Sequence, residues 1–227
     1  MAKKTNKKYI KVNLKSTSAQ GIVEQEIHSA LQNCRSVAIV GIVDSLIFTD
    51  GKLNTIFDDL FTFLSNAGNK LEFFIEQKTA DEMRKMSRQN WLMNRPNVII
   101  HIISDWVNWS PGELEMKFDA IIANPPYCSG LHLKILKDLM LLSDNIVCIH
   151  PANWLQFPTR QRPAFMNGRI REFQIIDRKE ANEMFDIDGG DIVISTFVKD
   201  KTGASFQGSP VTDPLFCCFK FNSRFDY

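Results

Sequence analysis

The chain has 227 residues, of which 44% are hydrophobic and 23% charged, with a formal net charge of +1. That balance excludes a low-complexity or intrinsically disordered chain and a polycation, and it fits one sizeable globular domain. No apolar run approaches the roughly 18–20 residues that span a bilayer. The basic start, MAKKTNKKYIKVNLK, lacks the apolar core of a secretion signal, so a cytoplasmic protein is expected.

Residues 1–17 read as a basic flexible tail carrying Lys3, Lys4, Lys7, Lys8, Lys11 and Lys15, and residues 18–227 read as a single domain. Over 18–34, Ile22, Val23, Ile27, Ala30 and Leu31 fall close to helical spacing and predict an amphipathic helix. SVAIVGIVDSLIF (36–48) is rich in branched residues and predicts a buried strand with a turn near Gly41 or Asp44. A helix follows over 52–68, ending near Gly68. KLEFFIEQ (70–77) predicts a second strand, and TADEMRKMSRQNWLM (79–93) one helix with Thr79 as N-cap and Glu82 three residues on. NVIIHIISDW (97–106) predicts the third strand and KFDAIIANPPY (117–127) contains the fourth. A helix over 131–143 and a strand over 145–151 come next, then two more strands over 171–178 and 191–200. LFCCFKF (215–221) is a candidate last strand. Strands of buried type alternating with helices predict an α/β fold: an open, Rossmann-like, mainly parallel seven-stranded sheet with helices on both faces.

The five cysteines (Cys34, Cys128, Cys148, Cys217 and Cys218) lack paired CxxC spacing, which argues against a zinc site or a disulfide framework. They read as buried or partly buried thiols, and no metal is expected. His101 and His150 lie in expected strands and read as satisfied core residues. His132, on the helix after residue 130, either faces a substrate or caps a neighbour.

In open α/β sheets ligands gather at the carboxyl ends of the strands. Glu76, Asp105 and Asn124 close the second, third and fourth strands and so share one rim. An acid at the end of the second strand is placed to accept hydrogen bonds from ribose hydroxyls, and one in the next crossover to hold an adenine amino group. The fourth strand stops at Asn124-Pro125-Pro126-Tyr127, because prolines cannot donate to a sheet ladder. This stiff corner suits methylation of a planar –NH₂ group, whose lone pair is delocalised. The Asn124 side-chain oxygen and the Pro125 carbonyl can accept its two N–H groups and draw the nitrogen toward tetrahedral geometry. Tyr127 can stack on the flat group.

The segment NPPYCSGLHLKILKDLMLLSDNIVCIHPANWLQ (124–156) resembles S-adenosylmethionine-dependent amino-methyltransferases, most closely adenine-specific DNA methyltransferases of restriction-modification type. The pattern extends over roughly 36–200 and is specific over 118–156. The resemblance implies the class I methyltransferase fold and S-adenosylmethionine as cofactor. It implies a catalytic corner of Asn124, Pro125, Pro126 and Tyr127. Glu76 would bind the cofactor ribose, Asp105 would lie near its adenine, and the Gly41–Asp44 turn would take the place of the glycine-rich cofactor loop. AIVGIVDSLIF offers one glycine where that family carries a Gly-x-Gly turn. The expected partner is double-stranded DNA with a flipped adenine, and Arg160, Arg162 and Arg169 are the expected phosphate contacts. The same corner serves an adenine in RNA or a protein glutamine. A catalytically inactive DNA-binding or partner protein is the remaining alternative.

Overall fold

The computed structural model describes residues 9–11, 19–32, 34–41, 54–111, 117–127, 130–151, 170–176, 179, 192–198, 204–206, 209–211 and 218–220. In chain order the elements are β1 (Tyr9–Lys11), α1 (Ala19–Leu31), β2 (Ser36–Val40), α2 (Asn54–Ser65), β3 (Lys70–Ile75), α3 (Gln77–Lys85), α4 (Ser87–Met93), β4 (Val98–Ile102), β5 (Ala120–Ala123), α5 (Leu131–Leu139), β6 (Asn145–Pro151), β7 (Ile170–Ile176), β8 (Ile192–Val198), β9 (Ala204–Phe206), β10 (Ser209–Val211) and β11 (Cys218–Lys220).

The runs of branched residues pair as expected. The main sheet has the order β10-β9-β7-β8-β6-β5-β2-β3-β4. Strands β4, β3, β2, β5 and β6 are mutually parallel, and β8 runs antiparallel between β6 and β7. The seven expected strands are therefore contiguous, and the short β9 and β10 extend the sheet beyond β7. The expected last strand is β11; it pairs in parallel with β1 in a separate two-stranded sheet, which engages Tyr9–Lys11 of the segment read as a tail.

Side-chain alternation splits the core between the two faces of the sheet. Val37, Ile39, Leu71, Phe73, Ile75, Ala120, Ile122, Val147 and Ile149 form one apolar cluster with Ile27, Leu60, Leu64, Met83 and Leu92 of helices α1–α4. Fully burying one such large side chain contributes about 1.5–3 kcal/mol. The opposite face is partly polar. Glu72, 1% exposed, meets His101 Nε2 at 2.7 Å, and His101 stacks on Phe74 with ring centroids 4.5 Å apart. Cys148 and His150 of β6 are buried, as are Leu131, His132, Ile135 and Leu136 of α5. Cys34 and Cys148 are free thiols, half-buried and buried respectively. Cys128 and Cys217 lie outside the described residues.

Two expectations for residues 79–93 need correction. The segment is two helices, broken at Met86, whose φ of −99° and ψ of 129° are extended. Thr79 is not the N-cap. The helix starts two residues earlier, with Glu76 at the cap position and no side-chain capping bond, and Thr79 is buried in the first turn. β3 runs into α3 with one residue between them, so there is no room for a separate capping segment.

The histidines of the polar face give the fold a pH dependence. The rings of His132 and His150 lie 6.1 Å apart, 4% and 0% exposed. Burial holds His150 well below the ordinary value of 6.5, and neighbouring His132 adds to the effect. Burial also lowers His132, partly opposed by a hydrogen bond to the Tyr127 backbone. Below about pH 6.5 the unfolded chain binds protons that the fold excludes, so stability falls with pH, by up to about 1.4 kcal/mol per unit for each histidine. Urea unfolding midpoints should drop between pH 7.5 and pH 5, and His150→Leu should flatten that dependence whatever its effect at neutral pH.

Candidate functional site

The site forms where the strand order reverses. From β2 the chain winds outward through β3 and β4, then crosses back to place β5 on the other side of β2. Val40 and Ala123 are in register, so the residues that leave the sheet next, Gly41 and Asn124, diverge from adjacent points on its carboxyl rim. Gly41 N–H donates to the Phe74 carbonyl at 3.0 Å and Asn124 N–H to the Val40 carbonyl at 2.9 Å, which carries the ladder to the rim.

Gly41 has a φ of +71°, in the left-handed region that L side chains rarely adopt. A Cβ added there would lie 2.6 Å from the Asn124 carbonyl oxygen and 3.4 Å from Pro125 Cα. Both atoms belong to backbone and cannot rotate away. The single glycine of this turn thus permits close approach to the Asn-Pro-Pro corner, a role that sequence reading assigned to the cofactor side. Asp44 lies outside the described residues.

Gly41, Ile75, Glu76, Thr79, Trp106, Asn124, Pro125, Pro126 and Tyr127 line one cavity of about 230 Å³. Pro125 is buried, while Asn124, Pro126 and Tyr127 are half-buried. The Tyr127 hydroxyl donates to Asn124 Oδ1. Its ring packs against the apolar cluster and meets the His132 ring edge-on at 6.0 Å. Burial pushes the Tyr127 hydroxyl well above its ordinary pKa, so it remains a proton donor. Asn124 therefore presents its carboxamide oxygen as an acceptor, held from two sides: by the sheet through its N–H and by the tyrosine through its side chain.

Glu76 is exposed, and its Oε1 accepts a hydrogen bond of 3.0 Å from Trp106 Nε1. Asp105 is not among the residues that line this cavity. Its carboxylate accepts from the Asn108 side chain at 2.5 Å and from Val107 N–H at 2.8 Å. The Asn108 bond first, then that from Val107, hold its carboxyl below the usual carboxylate range. Of the expected site residues, the structure gathers Gly41, Glu76, Asn124, Pro125, Pro126 and Tyr127. Arg160, Arg162 and Arg169 lie outside the described residues. Sequence reasoning missed Trp106 and Thr79. The signal for Trp106 was its place directly after Asp105, where a large amphipathic side chain leaves the third strand beside the rim.

No family model matches the chain, and no curated protein does. Solved structures do. The methyltransferase subunit of a type I restriction-modification system from Streptococcus thermophilus superposes with a TM-score of 0.54 at 14% identity, over 87% of this chain and 48% of that one. TrmN from Thermus thermophilus superposes with a TM-score of 0.51 at 12% identity, over 79% of this chain and 48% of that one. The chain thus spans about half the length of each. Sheet order and superposition together define the fold as a Rossmann-like class I methyltransferase fold. Among the described residues, no helix is long and apolar enough to cross a membrane.

The Gly41 contact is directly testable. Gly41→Ala should destabilise the fold by at least about 1–2 kcal/mol through the positive φ alone. Gly41→Asn relieves the conformational strain but keeps the Cβ against the Asn124 carbonyl, so it should recover only part of the loss in urea unfolding.

Proposed function

We propose that this protein is a methyltransferase that uses S-adenosylmethionine to methylate the exocyclic amino group of adenine in DNA. The observation that carries the reading is the placement of Asn124-Pro125-Pro126-Tyr127 and Glu76 in one cavity at the reversal of strand order. The residues present fit the cofactor: a carboxylate suited to ribose hydroxyls lines the same cavity as the Asn-Pro-Pro-Tyr corner. When bound, the cofactor supplies an electrophilic methyl carbon with its sulfur as leaving group. The chain's own task is to prepare the nucleophile. Asn124 Oδ1 accepts one amine N–H, and the Pro125 carbonyl accepts the other. Each bond weakens the delocalisation of the nitrogen lone pair into the ring. Because the prolines fix φ, these acceptors need little reorganisation during transfer. A site built on fixed hydrogen-bond acceptors suits an amine that loses its proton to water after transfer.

DNA is favoured over RNA or a protein glutamine by the likeness of residues 124–156 to adenine-specific DNA methyltransferases. The restriction-modification subunit whose fold superposes on most of this chain supports the same choice. Arg160, Arg162 and Arg169 are proposed to contact phosphates, which makes binding salt-dependent.

Incubation with labelled methyl donor and mixed DNA, RNA and protein should label DNA, on adenine. Label only on RNA or protein would overturn the substrate, and label on none would favour a non-catalytic partner protein. Asn124→Ala should lower transfer by at least 10²-fold with cofactor affinity little changed, and should lower the unfolding midpoint modestly because the Tyr127 hydroxyl loses its acceptor. In calorimetric titrations Glu76→Ala should raise the cofactor dissociation constant by about tenfold or more.

A further inference from the structure

The Glu76 carboxylate is exposed, yet it is not left to choose its own orientation. Its Oε1 is held by the indole N–H of Trp106, a side chain only 7% exposed. Trp106 is in turn fixed by its surroundings. Its ring meets that of Trp109 edge-on at 5.4 Å, and Trp109 packs on Phe74 at 5.9 Å. Asp105 closes the start of the loop through Val107 N–H and Asn108. Lys134 reaches across from α5 and donates to the carbonyls of Val107 and Trp109 at 2.8 and 2.9 Å. The loop over 105–109 is therefore tied to the helix that follows the catalytic corner, and its one buried indole donor is directed at the carboxylate beside it in the lining of the same cavity.

We propose that Trp106 is a positioning residue for nucleoside recognition, which orients Glu76 so that Oε2 receives the ribose hydroxyls of the bound cofactor. The inference rests on the methyltransferase reading and adds to it a residue, a loop anchor and a selectivity. An exposed glutamate samples several rotamers, and a ligand that needs one of them must freeze the rest. The indole N–H removes that freedom in advance, and a hydrogen bond to a charged acceptor is strong enough to do so. The selectivity follows from the same geometry. A carboxylate oriented toward a diol loses most when one hydroxyl is missing, because its lone pair is then left without a partner. The site should therefore distinguish a ribonucleoside cofactor from its 2′-deoxy analogue, and the distinction should depend on Trp106.

The test is calorimetric titration of S-adenosylhomocysteine and of 2′-deoxy-S-adenosylhomocysteine into the full chain, as wild type, Trp106→Phe and Glu76→Gln. Wild type should prefer the ribo form by about tenfold. Trp106→Phe keeps an aromatic ring and loses the donor. It should weaken S-adenosylhomocysteine by about tenfold and bring the ribo/deoxy ratio down to that of Glu76→Gln. Weakening of both ligands by one common factor, with the ratio preserved, would mean that Trp106 only fills space and would overturn the proposal. No binding of either ligand by wild type at millimolar concentration would overturn the methyltransferase reading itself. Should Trp106→Phe fail to fold, the indole N–H resonances of the four tryptophans give a second readout: Glu76→Ala, which removes the acceptor, should shift one of them strongly, and an unchanged set would overturn the Trp106–Glu76 pairing.

Discussion

The architecture turns on a contact between two backbones. Gly41 and Asn124 leave neighbouring strands at the same height, and the space between them excludes even a methyl group. Their chains then separate. The segment after β2 returns through α2, which packs on the apolar face, and the segment after β5 returns through α5, which packs against β6 and the polar face. A cleft opens between them because the chain diverges here, and the left-handed turn at Gly41 brings one wall of that cleft against the other. Asn124 then has its amide fixed by Val40 and its carboxamide by Tyr127.

The two faces of the sheet divide the work. The α1–α4 face is a hydrocarbon layer in which Phe73, Leu60 and Leu64 are among the largest fully buried side chains. The α5 face carries Glu72, His101, His132 and His150 among its buried or half-buried side chains. Polar groups at such depth lower stability unless they are satisfied, and Glu72 meets that condition through His101. Tyr127 sits where the two regimes meet, with its ring on the apolar cluster and its hydroxyl on Asn124.

Much of this was legible in the sequence, for identifiable reasons. The strands were readable because buried parallel strands are short runs of branched residues, and VAIV, LEFFI, AIIA and IVCI are such runs. The corner was readable because two prolines after an apolar run can only end a strand. Glu76 was readable because its strand is bounded so sharply. What stayed hidden depended on contacts distant in the chain. The break at Met86 has no proline or glycine to mark it. Trp106 and Glu76 are 30 residues apart, and no spacing rule joins them. The neighbours of Asp105 were visible, but nothing in SDWVNW shows that its carboxylate turns back on Val107 and Asn108 instead of toward the cavity.

Glu76 is the sole link between β3 and α3. Ile75 before it is locked in the ladder against Ile102, and the Glu76 carbonyl already accepts the N–H of Ala80 within the first helical turn. Its main chain has no slack, and its side chain is tethered at one oxygen. Most surface carboxylates have their side-chain rotamers frozen by whatever they bind, at a cost of up to about 1.5–2 kcal/mol. Here folding has already met that cost, so a visitor to this rim encounters an acceptor as stiff as the sheet beneath it.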